Sequence, residues 1–531
     1  MNFIRYFSIL RHKPVDWNQH ADFFNSTRGR FVCNERREMA RRHVKFDMNE
    51  LCRAAGAAVG GRCVDVEKFP DGMYSKAFLL IMDNDEQVVA KVPNPNAGRS
   101  HFTTASEVAT MDFVRNVLGT PVPKILAWDS SGRTAVGAEY IIMEKAKGVQ
   151  LSTVWPSMKF EQMVKVMKAV TRYQKAWASA SFGCIGSLYY AQDVKLDGRK
   201  ALVYVDETGK QIQDDRFAIG PIVSREWNDH DSKFELRQRA NIESYRRAVI
   251  ERDIKATTTL LPLPKLLTML CGPSLYQSTA EEKHRACEAA LQALPYILPQ
   301  EPWASRSHLW HDDLHDENVF VDADDPTKVV SIIDWQSSFI SPLFDHIITP
   351  AFLEYDGPPT KGLERPAPPR LDGMSADEEA AAIKLFDQQL LMSGYKFFLL
   401  RTAEVAFEAQ MFEESEPATA LSACRDIFAP AGEGGCLAAL ADSDRLPVQF
   451  FSEEEGKGIE GDAEKIMASL HVMDVIKKAL GDLFPEKGVV RPDQYDEAKA
   501  ALQNVKAQIL EDFSMSEEDR RAWEGAWPFD D

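Results

Sequence analysis

Between residues 307 and 336 the chain reads SHLWHDDLHDENVFVDADDPTKVVSIIDWQ, and no other stretch so narrows what it can fold into. Residues 318–322 and 329–333 are short runs of β-branched and aromatic side chains, the composition of strands. Between them Ala-Asp-Asp-Pro-Thr-Lys is turn chemistry, with Pro326 following an Asp pair. An antiparallel hairpin that sets Asp322 near Val329 brings Asn318 and Asp334 out at the same end. Two oxygen ligands there, with Asp313 in the loop just before, can hold Mg²⁺ on phosphate oxygens beside a general base. His308, His311 and His315 with their Asp neighbours offer a competing zinc set, since histidines three or four apart occur on metal-binding helices. Neither an H-E-x-x-H pattern nor a cysteine pair accompanies them.

Residues 311–318, HDDLHDEN, also match the H-x-D-L-x-x-x-N pattern of kinase catalytic loops, and the upstream sequence supplies partners for it. Residues 76–82 and 87–92 read as strands flanking the turn Asp83-Asn84-Asp85, and Lys91 lies in Val-Val-Ala-Lys-Val of the second. Glu107 follows in a helix expected over 104–118, where it can hold Lys91 against nucleotide phosphates. Its competing use is a capping box with Thr104, in which the carboxylate turns back to a backbone amide. Residues 69–76 sit where a loop would cover the phosphates, with the amides near Gly72 and the Ser75 hydroxyl as donors. A GxGxxG pattern is absent, so an ordinary turn is the alternative. Residues 138–144 form a further strand running toward Gly148, the place where a hinge, here Met143 and Glu144, offers backbone groups to adenine.

A chain of 531 residues exceeds the size at which one core stops growing, so two lobes are expected. Eight cysteines without a C-x-x-C pair point to a reducing compartment, and a net charge of −19 argues against broad binding to nucleic acid or anionic membrane. No apolar run reaches the length of a membrane span: residues 260–270 are short and broken by Pro262, Pro264 and Lys265. Arg5, Arg11 and Lys13 with no acid before Asp16 resemble a mitochondrial presequence, with the cytoplasm as the alternative address. Residues 17–46, basic and aromatic in patches, suggest no role.

An Asp47-x-x-Glu50 box opens a helix that Gly60-Gly61 stops. A helix over 161–180 belongs to the larger lobe, and residues 185–305, polar, aromatic and partly helical, read as an insertion within it. Asp345 comes only eleven positions after Asp334 and no A-P-E motif follows, which favours a small acceptor over a protein one. Pro358, Pro359, Pro366, Pro368 and Pro369 mark a stiff linker. Ser375-x-x-Glu378 then caps an amphipathic region running toward Glu413, a further helix spans 495–510, and the acidic end, 517–531, reads as solvated.

Taken together, the HDDLHDEN and IIDWQ segments with Lys91 and Glu107 resemble the aminoglycoside phosphotransferase, or phosphotransferase enzyme, family over residues 64–346. The segment RFVCNERREMARRHVKFDMNELCRAAGAAVG looks like the fungal altered inheritance of mitochondria protein 9 group. The resemblance implies an α+β, protein-kinase-like bilobal fold with a small antiparallel-sheet N-lobe and a large, mainly helical C-lobe. Its implied divisions are an extension over 1–61, the N-lobe and hinge over 62–148, the C-lobe over 149–356, and a helical C-terminal part over 357–531. The C-lobe includes the insertion at about 185–305 and the catalytic segment 307–346. The implied cofactors are ATP and Mg²⁺, and the implied reaction is phosphoryl transfer to a hydroxyl of a small molecule. Asp313 matches the catalytic Asp, His311 the histidine that supports its loop, Asn318 and Asp334 the metal ligands, Lys91 and Glu107 the phosphate-anchoring pair, and Asp345 a structural Asp that anchors the loop. The alternative is a kinase-like nucleotide-binding protein with a regulatory or scaffolding role in mitochondria.

Overall fold

The computed structural model describes residues 15–195, 201–224, 238–257, 269–355, 357–358, 362–429 and 431–530. The presequence-like residues 1–14, Pro359, and the 260–270 segment up to residue 268 lie outside them. No described helix is long and apolar enough to cross a membrane.

The extension contributes β1 (Arg30–Phe31), α1 (Glu35–Arg42) and α2 (Met48–Val59). Asp47 starts α2 by accepting the Glu50 amide, and Gly60 ends it at a φ of 71°, a left-handed conformation open to glycine. Next come β2 (Cys63–Lys68), β3 (Ser75–Met82), β4 (Gln87–Pro93), α3 (Phe102–Asn116), β5 (Ile125–Asp129) and β6 (Tyr140–Glu144). The strands make one antiparallel sheet in the order β2-β3-β4-β6-β5. Because side chains alternate along a strand, Phe78, Leu80, Val88, Ala90 and Val92 bury against Leu51, Cys52 and Ala55 of α2. Lys91 and Val89 take the opposite face.

Leaving β6, the chain passes Gly148, where φ is 81° and a Cβ would run into the Val321 carbonyl. That close approach lets β7 (Val149–Gln150) pair with the hairpin of the larger lobe. There α4 (Leu151–Val154) and α5 (Phe160–Ser179) are followed by β8 (Ser181–Phe182), β9 (Ser187–Tyr190), β10 (Leu202–Val205), β11 (Gln211–Asp214) and β12 (Phe217–Gly220). Helices α6 (Ile242–Thr257) and α7 (Ala280–Ile297) precede β13 (Ser307–Leu309), β14 (Val319–Val321), β15 (Val329–Ile332) and β16 (Ile340–Pro342). The remainder is almost wholly helical: α8 (Ala376–Thr402), α9 (Glu404–Glu413), α10 (Glu416–Arg425), α11 (Gly432–Ala441), α12 (Glu453–Leu480), then the short strand β17 (Val489–Val490), α13 (Tyr495–Phe513) and α14 (Glu517–Ala526). The fold is thus α+β and bilobal, in the protein-kinase-like arrangement.

Residues 185–305 share the core of the larger lobe: Ala286, Cys287, Ala290, Ala293, Leu294 and Ile297 of α7 bury with Trp177 and Trp310. The region from Ser375, whose capping box is present, toward Glu413 is two helices, broken at Ala403 with φ −149°. The acidic end is not simply solvated. Its acids occupy the outer face of α14, while Trp523, Trp527 and Phe529 bury with Ile476, Leu502 and Val32. Val32 belongs to the segment to which the sequence assigned no role; beside it β1 pairs antiparallel with β17, Phe31 opposite Val489.

Trp523→Ala should therefore lower stability by about 3–5 kcal/mol, the usual cost of removing a buried aromatic ring. Glu517→Gln, by contrast, should change it by no more than about 0.5 kcal/mol. Urea unfolding of the two variants checks this, and equal effects would return the tail to solvent.

Candidate active site

The hairpin β14/β15 pairs Val319 with Ile332 and Phe320 with Ser331, then shifts register at Val321. The ladder continues one step further, the Ile333 amide donating to the Asn318 carbonyl at 3.0 Å, so Asn318 and Asp334 leave it side by side. Asp334 holds a φ of 62°, a left-handed conformation uncommon for a residue with a side chain. Its Oδ1 accepts Lys91 Nζ at 2.9 Å, and Glu107 Oε1 accepts the same ammonium at 2.6 Å. Lys91 is only 8% exposed. Burial by itself would push its ammonium toward neutrality, but Asp334 and Glu107 outweigh that and raise its pKa above the ordinary lysine value. The helix-cap use of Glu107 gives way: α3 begins at Phe102, ahead of Thr104, and the Thr104 hydroxyl donates to Glu139.

The loop before the hairpin is held by its own backbone. His311, fully buried, donates from Nε2 to the Ile333 carbonyl at 2.9 Å, and its Nδ1 accepts the Asp313 amide at 3.2 Å. Burial lowers its pKa, which keeps the ring neutral with one donor and one acceptor. Trp335 packs edge-on to it at 4.6 Å between ring centres. Asn318 Nδ2 donates to the Asp313 carbonyl at 2.9 Å, which fixes the loop while the Asp313 side chain stays 55% exposed. These contacts also answer the zinc alternative. His311 is spent as described, His315 Nδ1 accepts the Glu317 amide, and His308 donates to the Ala180 carbonyl, burial pushing its pKa down to about 4. Among the described residues no cluster of three potential His, Cys, Asp or Glu ligands occurs.

The other expected positions are placed less simply. The Gly72 amide, expected to face phosphate, closes a turn on the Ser75 carbonyl at 3.1 Å. Ser75 itself starts β3 opposite Pro93. Glu144 donates its amide to the Lys124 carbonyl at 2.9 Å, and Met143 lies mid-sheet between Val89 and Ile125, so the ladder, rather than a hinge ligand, takes Glu144's donor. Asp345 anchors a helix: Arg246 of α6 meets it at 2.8 Å and the Ser341 hydroxyl at 3.1 Å. Burial would raise its carboxyl, but Arg246 and Arg425 more than offset this and hold it below the ordinary range.

Several residues of the site carried no signal in spacing. Gln336 donates across the lobes to the Ala97 carbonyl at 3.0 Å, and Trp177 of α5 donates to Thr120 at 2.8 Å while its ring packs on Trp310 and Trp335. Arg246 lay hidden in the stretch read as an insertion.

The family model described as the phosphotransferase enzyme family matches residues 65–360. A subtelomeric hrmA-associated cluster protein of Aspergillus fumigatus is 26% identical over 88% of this chain and 97% of its own length. The mitochondrial altered inheritance of mitochondria protein 9 of Kluyveromyces lactis is 24% identical over 61% of this chain and 55% of its own. Among solved structures, a thermostable mutant of the aminoglycoside phosphotransferase APH(4)-Ia, in ternary complex with AMP-PNP and hygromycin B, aligns over 75% of this chain and 99% of its own, with 14% identity and a TM-score of 0.37.

The Asp345 pair yields a prediction. Its depressed carboxyl contributes stability that is complete above the unfolded value near pH 4 and is lost as pH falls through the lower folded value. Asp345→Asn leaves Arg246 buried against a neutral amide and should cost about 3–5 kcal/mol at neutral pH. The deficit against wild type should shrink in acid. A difference in urea midpoint that stays constant from pH 7 to 3 would mean the carboxylate is not charged in the fold.

Proposed function

Because the chain belongs to the phosphotransferase enzyme family, we propose that it is a kinase transferring the γ-phosphoryl group of ATP to a hydroxyl of a small molecule. The observation that carries this reading is the junction at Asp334, where the hairpin end that bears Asn318 meets Lys91 at 2.9 Å and, through it, Glu107.

The residues present fit Mg²⁺. Asn318 spends its amide nitrogen on the Asp313 carbonyl, which leaves Oδ1 as a ligand atom, and Asp334 adds a carboxylate. Hard oxygen donors in so small a number suit a cation that keeps most of its shell for water and phosphate. When bound it would offset charge on the phosphate oxygens. Lys91, kept charged by its two carboxylates, presents the fixed cation that orients the nucleotide phosphates. Glu107 fixes the direction of that ammonium. The half-exposed Asp313 carboxylate takes the proton of the acceptor hydroxyl as the new O–P bond forms and the bond to the β-phosphate oxygen breaks. His311 works through Asp313, holding its amide. Adenine would meet the backbone of 145–147, which no strand pairing uses.

One observation favours a second reading, that of a kinase-like nucleotide-binding protein with a regulatory or scaffolding role. The Gly72 amide is already committed, in a loop with a single glycine. For either reading the mitochondrion is the compartment to test first, since the protein 9 relatives are named for it.

Asp313→Asn keeps size and removes charge. It should bind Mg²⁺-ATP as wild type does while transfer falls by about 10²–10⁴, the usual contribution of a positioned base. Calorimetry beside genetic complementation separates the readings, and full complementation by Asp313→Asn would overturn the enzymatic one. Lys91→Ala and Glu107→Ala should both weaken nucleotide binding, with the double variant losing less than the sum. Strict additivity would mean that Glu107 does not act through Lys91.

A further inference from the structure

Lys68 and Lys76 take no part in the site above, yet both turn to one carboxylate. The Asp71 side chain, 2% exposed, accepts the Thr27 amide at 2.6 Å, the Thr27 hydroxyl at 2.9 Å and Lys68 Nζ at 2.8 Å, with Lys76 Nζ at 3.5 Å. A carboxylate is tolerated out of water only where donors of this number and charge replace its hydration. The two ammonium groups donate onward to the segment passing over them, Lys68 to the Asp22 carbonyl and Lys76 to that of Asn25, each at 2.7 Å. Phe23 of the same segment packs edge-on to Phe78 on the outer face of the sheet. The extension is thereby fastened to the sheet around Asp71.

Asp71 lies in the loop over 69–74. The register Ser75 opposite Pro93 and Ala77 opposite Lys91 puts this loop at the end of the sheet just beyond Lys91. Its other end is held from within: Asn94 donates its amide to the Tyr74 carbonyl at 2.8 Å and its Nδ2 to that of Met73 at 2.9 Å. The Ala97 amide donates in turn to the Asn94 carbonyl, and Ala97 receives Gln336 from the segment that bears Asp334. A glycine-rich loop finds its place over phosphates through its own conformational freedom. This loop, with one glycine whose amide is spent, has its place imposed by the residues around it.

We infer that Asp71 is a positioning residue for the nucleotide phosphates: gripped by Thr27 of the extension, it holds the 69–74 loop at the phosphate end of the cleft in place of the missing glycines. The inference rests on the phosphotransferase reading. It assigns the extension a part in nucleotide binding.

The test uses the full-length protein, Asp71→Asn and Thr27→Val, with Mg²⁺-ATP binding by calorimetry, amide exchange over 69–74 without nucleotide, and the unfolding midpoint. Asp71→Asn should weaken Mg²⁺-ATP on the order of tenfold and speed exchange in the loop. Thr27→Val, an exposed position that loses one hydroxyl, should shift both in the same direction by about twofold to threefold with an unchanged midpoint, which a purely structural role would not produce. It decides the matter should Asp71→Asn fail to fold. A wild type that binds no Mg²⁺-ATP overturns the phosphotransferase reading and this inference with it. Wild-type binding with unchanged affinity and exchange in the variants overturns the clamp alone.

Discussion

The ammonium of Lys91, shared between Glu107 and Asp334, joins three parts of the chain: a strand of the sheet, the helix beside it and the end of the β14/β15 hairpin. Taking such charges out of water is expensive, and removing one partner leaves the others uncompensated. The surrounding structure therefore has to hold all three in register. It does so with contacts that carry no net charge: Ile332 donates its amide to the Pro121 carbonyl, Gln336 reaches Ala97, and Trp177 bridges Thr120 to the tryptophans at 310 and 335. The left-handed Asp334 is the local cost of aiming a carboxylate from the end of a hairpin.

How much of this could be read from the sequence depends on the distance over which each feature is determined. The hairpin was legible because its strands, its turn and both emerging residues lie within seventeen positions of one another. The partnership of Lys91 and Glu107 was legible as a motif and ambiguous as chemistry, since Thr104 offered the same carboxylate a local use. Only the placement of Phe102 at the head of α3, with Thr104 turned to Glu139, separates the two. The helix α7 escaped because half of its buried face is alanine and one buried position is Lys283, which contrast weakly with polar neighbours in a periodicity reading. The acidic tail misled for the opposite reason: its charges dominate the composition, while three spaced aromatics determine where it packs. Nothing local distinguishes Gly72 as a phosphate donor from Gly72 as a turn residue; the difference is one hydrogen bond to Ser75.

The extension links these levels. Its lysine-bound segment lies on the sheet around Asp71, and a few residues later β1 lies against β17, with the Arg30 guanidinium over the Tyr495 ring at 3.5 Å and Lys499 donating to the Val32 carbonyl at 2.9 Å. Lys487 reaches toward Met73 of the loop itself at 4.0 Å. The 69–74 loop thus touches elements from both far regions of the chain, and the sheet lobe is tied to the larger lobe on its outer side as well as through the connector at Gly148.

The pairing of Phe31 with Val489 has a consequence in time. A ribosome finishes residues 63–144, and with them every strand of the small sheet, long before it reaches 489. The newborn chain can therefore complete its first sheet while the edge of β1 still waits for its partner, and a contact so distant along the chain closes late. Until residues 489 and 490 are made, β1 has no partner strand and hangs as a tethered ribbon between two stretches already seated on the sheet, the segment around Phe23 and α2.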